Sequence, residues 1–177
     1  GIRFENLEIE ATDMPFGIGS GAGVIFGVTG GVTEAVLRRL REGHSRVEME
    51  KIKFSGVRGE EGLKEVEFDY NGRTIRAAVV SGLGNANNLM KRIQKGEVQY
   101  DFVEVMACRR GCIMGGGQPV PVDPESRIAR SKGIYDTDIN TQIKKSNENP
   151  LVQSLYDGLL KGKTHELLHR NFEAAGK

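Results

Sequence analysis

The chain holds two cysteines. Both lie in "EVMACRRGCIMGGGQP" (residues 104–119), as Cys108 and Cys112 with Gly115, Gly116 and Gly117 close behind. Thiolates are soft ligands suited to iron–sulfur clusters, zinc or copper. A strand that ends in such a loop brings two sulfurs into one neighbourhood. The glycines let the backbone pass close to a bulky group, and their N–H groups can face anionic sulfur. Arg109 and Arg110 would offset the charge of an anionic cluster. Other chemistries fit the same spacing. The cysteines can be small core residues, or a local redox pair, although the spacing is not Cys-x-x-Cys. The glycine run can be a plain turn. Spacing alone leaves these open.

Ligand number narrows the metal reading. A four-iron cubane commonly takes four thiolates, and structural zinc takes four ligands. Beside its two cysteines the chain has three histidines, His44, His165 and His169. His165 and His169 stand four apart on a predicted helix and read as an exposed helical face before they read as ligands. A cluster held by Cys108 and Cys112 therefore needs ligands from other polypeptide. A second glycine-rich stretch, "GAGVIFGVTGG" (21–31), is not a phosphate loop. It lacks the Gly-Lys-Ser/Thr ending, and its spacing does not fit G-x-G-x-x-G.

The elements that must position these residues are legible in outline. "VIFG" (24–27) is a short apolar run bounded by glycine and predicts a buried strand. "VTGGVTEAVLRRLRE" (28–42) predicts a helix with Val32, Ala35, Val36 and Leu40 on one face and Gly43 as its stop. Two β-rich runs in "EVEFDYNGRTIRAAVV" (65–80) flank Asn71-Gly72, a preferred hairpin pair. "NANNLMKRIQKG" (85–96) predicts a helix, and "YDFVEVMA" (100–107) a strand delivering Cys108 at its end. Beyond Asp123 the helical runs "PLVQSLYDGLL" and "THELLHR" form a tail, with Pro150 near a start and Gly162 near a stop.

This order predicts an α/β fold: a mixed, partly parallel sheet flanked by helices, with one β-hairpin and a helical C-terminal tail. At 177 residues the chain is expected to be one domain, 1–177, with an α/β core at 1–122 and the helical tail at 123–177. A net charge of +1 and the lack of a dense Lys/Arg block argue against a nucleic-acid footprint. No apolar stretch is long enough to cross a bilayer, and no signal peptide is visible at the N-terminus. Two cysteines cannot build a disulfide framework, so a reducing, cytoplasmic setting is expected. Gly rather than Met at position 1 suggests a processed chain or a fragment.

In combination these motifs resemble a known family. "EVMACRRGCIMGGGQP" resembles the E-x-M-A-C-P-x-G-C-x-x-G-G-G-Q-P signature of the iron-only (di-iron) hydrogenases. "GAGVIFGVTGGVTEAVLR" (21–38) is similar to their G-x-I-F-G-x-T-G-G-V-x-E-A-x-L-R segment. "VVSGLGNANNLMKRIQKGEVQYDFVEVMAC" follows the family order, and "IYDTDINTQIKKSNENPLVQSLYDGLL" and "HELLH" resemble its helical tail. The likeness runs from Asp13 to Phe172. The family's earlier cysteine signatures, T-S-C-C-P and M-P-C, do not occur. The resemblance therefore implies one of two lobes of the hydrogenase catalytic domain, the C-terminal one.

The resemblance implies that Cys108 ligates a 4Fe-4S cubane and that Cys112 ligates it and bridges to a di-iron subsite, together the H-cluster. Gly115, Gly116 and Gly117 would border that cofactor. Phe26, Gly27 and Val32 match positions lining the di-iron pocket, and Met106 matches a thioether beside it. On composition alone Phe26, Val32 and Met106 would be core residues. The implied reaction is reversible reduction of protons to dihydrogen, and the implied partners are the N-terminal half of the same domain and a ferredoxin- or NAD(P)-linked electron carrier. The family's proton-donating cysteine and cyanide-anchoring lysine belong to that other half, so this chain alone is expected to be inactive. Arg109 stands where the family has proline, and "LLHRNF" departs from the usual L-L-H-T-x-Y ending. The alternative is a non-catalytic hydrogenase-like iron–sulfur protein, a cluster-assembly scaffold or a redox or hydrogen sensor. An apolar patch around Phe26, Val32 and Met106, left bare by the absent lobe, is expected to promote self-association.

Overall fold

The computed structural model describes residues 1–11, 17–40, 62–119 and 123–169. His44, Gly43 and the end of the predicted 28–42 helix lie outside these. Hairpin chemistry is the plainest link from residues to structure. Asn71 (φ 50°) and Gly72 (φ 75°) both take the left-handed conformation that a two-residue hairpin turn requires. They join β1 (Leu63–Tyr70) to β2 (Arg73–Ser81), paired antiparallel from Tyr70–Arg73 to Leu63–Val80. Helix α3 (Leu83–Gln94) then returns the chain to β3 (Phe102–Met106), which runs parallel to β2. Such a parallel return needs a crossover connection, and α3 supplies it. The sheet order is β1-β2-β3, mixed and partly parallel as predicted.

Strand β2 is central, and its residues Ala77 to Ser81 are all buried. Such a continuous apolar run marks a strand covered on both faces. Ala78 and Val80 pack with Leu89 of α3 on one face. Val79 packs with Val66 and with Leu37 of α2 (Gly31–Leu40) on the other. Glu104 and Met106 of β3 pair in register with Val79 and Ser81, so strand alternation places them on the α2 face.

One local expectation fails. The run "VIFG" is no strand: α1 (Gly21–Val24) passes into a 3-10 turn at Ile25–Gly27. Ser20 caps α1, its Oγ accepting from the Gly23 N–H at 3.2 Å. Four apolar residues are too few for periodicity to separate helix from strand, and the cap decides it.

The tail is helical, as expected. It comprises α4 (Pro124–Asn140), α5 (Pro150–Asp157) and α6 (Thr164–Leu168). Asp123 and Asn149 cap α4 and α5, each just ahead of a proline at the first helical position. The tail docks through Ile134 and Tyr135 of α4, which pack on the Ile25–Val28–Ile113 cluster, and through polar contacts. Gly21 and Ala22 donate their N–H groups to the carbonyls of Ile143 and Lys144. Arg38 of α2, fully buried, donates both Nη groups to Asp138 of α4 at 2.7 Å and one of them also to Glu34 at 2.6 Å. Burial alone pulls this guanidinium down. The Asp138 and Glu34 carboxylates more than reverse it and leave Arg38 above the ordinary arginine value.

Candidate metal centre

Both thiols sit on a loop that starts where β3 ends. The Met106 carbonyl accepts from Gly82 N–H at 2.8 Å, tying the strand end to the start of α3. A turn follows, with Gly111 N–H donating to the Cys108 carbonyl at 3.1 Å. Within it Arg110 is left-handed (φ 70°), an uncommon conformation for a residue with a Cβ. Its N–H donates to the Ser81 hydroxyl at 2.9 Å, which pins the turn to β2. Cys112–Met114 form a 3-10 turn, and the Cys112 carbonyl accepts from Gly115 N–H and from Gln118 Nε2, each at 3.1 Å. Arg130 of α4 donates to the carbonyls of Ile113 at 3.0 Å and Pro119 at 2.6 Å.

Glycine is required at Gly111. Its φ is +87°, and a Cβ there would lie 2.8 Å from the Gly27 carbonyl oxygen and 2.9 Å from the Thr29 nitrogen. The cysteine loop thus meets the 27–29 backbone with no side chain between. Ile113 completes the contact from below, buried with Ile25 and Val28. The two glycine-rich motifs of the sequence are one structural unit.

Cys108 and Cys112 are exposed free thiols. A Cβ on Gly115 would stand 3.2 Å from the Cys108 sulfur, so Gly115 leaves that sulfur its room. Gly116 and Gly117 face open space. The donor set therefore fits a thiophilic metal group: two accessible sulfurs, a cradle that a side chain would fill, and adjoining backbone without side chains. At the same corner the buried Thr29 hydroxyl has no partner among the described residues. Among those residues no group of three or more His, Cys, Asp and Glu forms a metal site. His165 and His169 are exposed, as expected, with rings stacked at 4.7 Å.

The structure brings only some of the predicted pocket residues to the loop. Gly27 lies against it. Phe26, 45% exposed, and the half-buried Val32 instead line an apolar groove of about 590 Å³, whose far wall includes Val152 and Tyr156 of α5. Met106 is half-buried at the end of β3 and is not on that groove.

Sequence reasoning passed over Glu104. Its carboxylate is 4% exposed and accepts from Gly30 N–H at 2.9 Å, Thr33 N–H at 2.7 Å and Thr33 Oγ1 at 2.7 Å. The available signal was an acidic residue in register with Phe102 and Met106 on the inward face of an otherwise apolar strand.

Comparison with known proteins places this geometry. Residues 1–116 match the family model described as iron only hydrogenase large subunit, C-terminal domain, and residues 124–175 match iron hydrogenase small subunit. The chain is 39% identical to iron hydrogenase 1 of Clostridium pasteurianum, over 97% of its own length and 32% of the relative. It is also 39% identical to the NADP-reducing hydrogenase subunit HndD of Solidesulfovibrio fructosivorans, over 97% of this chain and 30% of that one. At 30% identity it matches cytosolic iron–sulfur assembly component 3 of Rattus norvegicus, over 85% of this chain and 32% of that protein. A solved [FeFe]-hydrogenase HydA1 from Chlamydomonas reinhardtii superposes with a TM-score of 0.64 at 35% identity, covering 99% of this chain and 52% of that one. The chain thus spans about a third of these curated relatives and about half of the solved structure. With more than half of its length matched by that large-subunit model, the chain belongs to the iron-only hydrogenase family, in the C-terminal domain of the large subunit.

Proposed function

We propose that this chain is one lobe of a larger hydrogenase that reversibly reduces protons to dihydrogen, and that it supplies two cysteine ligands to a 4Fe-4S cluster joined to a di-iron subsite. The observation that carries this is the pair of exposed thiols on a braced loop, with Gly115 making space for the Cys108 sulfur. The bound group's chemistry is electron storage and the combination of two protons with two electrons. The chain's own residues do simpler work. Cys108 and Cys112 bind, Cys112 also toward the di-iron side. Gly115, Gly116 and Gly117 keep Cβ atoms away. Gly27 borders the cysteine loop, while Phe26 and Val32 on the neighbouring groove and Met106 at the end of β3 give apolar surface that the other half of the domain covers to exclude water. That half supplies the remaining ligands and the proton donor, and a ferredoxin- or NAD(P)-linked carrier exchanges the electrons. Two free thiols suit a reducing cytoplasm. The core at 1–122 and tail at 123–177 act as one domain.

Anaerobic reconstitution with iron and sulfide tests this reading. The full-length protein carrying this chain should bind a four-iron cluster and evolve hydrogen. Cys108→Ser and Cys112→Ser should each lose most of the iron and reduce hydrogen evolution by at least ~100-fold. The isolated chain should show no turnover, and appreciable activity from it would overturn the two-ligand assignment. A second reading, a hydrogenase-like scaffold or sensor, is favoured by the assembly-component relative. A full-length protein that loads the cluster but evolves no hydrogen would support it.

A further inference from the structure

Helix α2 begins at Gly31, so its cap position falls on Gly30, which has no side chain to satisfy the first amides. Glu104 does that work from another element. One carboxylate oxygen takes the Gly30 N–H, and the other takes the N–H and hydroxyl of Thr33. None of these donors is a cation. Three donors at the positive end of a helix satisfy both oxygens of this buried side chain. Gly30 takes a left-handed φ of +89°, where a capping Ser or Asp would be strained, so the acceptor for these first amides comes from another element.

What the arrangement adds is closure. Four residues after Glu104 the strand delivers Cys108. The loop bearing Cys108 and Cys112 comes to rest, through Gly111, on the backbone of Gly27–Thr29. That backbone leads directly to Gly30 and Thr33, which return to Glu104. The circuit contains Cys108, with Cys112 one residue past its closing contact at Gly111, and the Glu104 carboxylate is the only side chain in it that spans from β3 to the start of α2 among the described residues.

We infer that Glu104 is a positioning residue for the thiol pair: through Gly30 and Thr33 it fixes the distance between the strand that delivers Cys108 and Cys112 and the corner on which their loop rests. The inference rests on the proposed cluster site for its purpose, but its geometry is testable without iron. In Glu104→Gln one oxygen becomes an NH2 group that cannot accept, so an inward amide loses its acceptor while shape is kept.

The test uses the full-length protein carrying this chain. Before iron loading, amide exchange in residues 108–118 should quicken roughly fivefold or more in Glu104→Gln, while the β1–β2 hairpin exchanges as before. Thr33→Val, which removes only the hydroxyl, should give a smaller change of the same pattern, and Thr33→Ser should behave as the unsubstituted protein. These variants also decide the matter if Glu104→Gln fails to fold. Exchange that rises equally in loop and hairpin, or does not rise in the loop, overturns the inference. In the iron-loaded protein the electron paramagnetic resonance spectrum of the reduced cluster should shift in Glu104→Gln at unchanged iron content, and an identical spectrum overturns the inference. Iron missing from the unsubstituted protein would overturn the cluster reading instead, with the exchange result still deciding the role of Glu104.

Discussion

Gly111 shows how one missing side chain joins two motifs. Its left-handed backbone and its approach to the Gly27 carbonyl leave no place for a Cβ. Gly111→Ala should cost about 2–4 kcal/mol, from backbone strain and from overpacking against main chain that cannot yield. Urea unfolding of this chain would measure it. Gly116→Ala, facing open space, should change stability by less than about 1 kcal/mol. The cysteines and the glycine run could be read from residue type alone, since soft ligands beside unhindered backbone are a pattern of composition. Glu104 could not be singled out so easily. Its role depends on three donors more than seventy positions away in sequence, and those are set by strand register and by where α2 begins. The placement of Phe26 on the groove and Gly27 at the loop was hidden for a related reason, because it follows from the 3-10 turn at Ile25–Gly27, which the short run "VIFG" does not reveal.

At the scale of elements, the hairpin and α3 were legible because each carries its own signals, Asn71-Gly72 for the turn and an apolar helical face packed on Val80. Helix α4 carried weaker ones. Its inward groups include Asp138, which no hydrophobic period reveals. The Arg38–Glu34–Asp138 cluster replaces an apolar seam between α2 and α4. Buried ion pairs tolerate apolar replacement of the whole set but not removal of one member. Asp138→Ala should therefore destabilise the chain by about 3–5 kcal/mol. Glu34 would remain beside Arg38, but the two-pronged contact to α4 would be lost. Thermal unfolding followed by circular dichroism would register the loss as a lower midpoint. Gly21 belongs to the same seam: a Cβ there would fall 2.1 Å from an Asp138 carboxylate oxygen.

At the scale of the whole molecule, the groove between α2 and α5 is apolar, and Phe26 on its wall is largely open to solvent. Surface of this kind is normally covered. The proposed function assigns the cover to the other half of the catalytic domain. Without that half, the isolated chain should self-associate, and its sedimentation coefficient should rise with concentration. Val36→Glu, placing a charge in the groove, should restore a monomer without altering the cysteine loop.

The tail grips the rest of the molecule twice through one helix, at α2 by Asp138 and at the cysteine loop by Arg130. Because the second grip falls on the carbonyls of Ile113 and Pro119, on either side of the glycine run, tail docking and order in the cysteine loop are not independent equilibria. By reciprocity, whatever free energy the seated tail would contribute to holding the proposed cluster, the cluster would return to holding the tail.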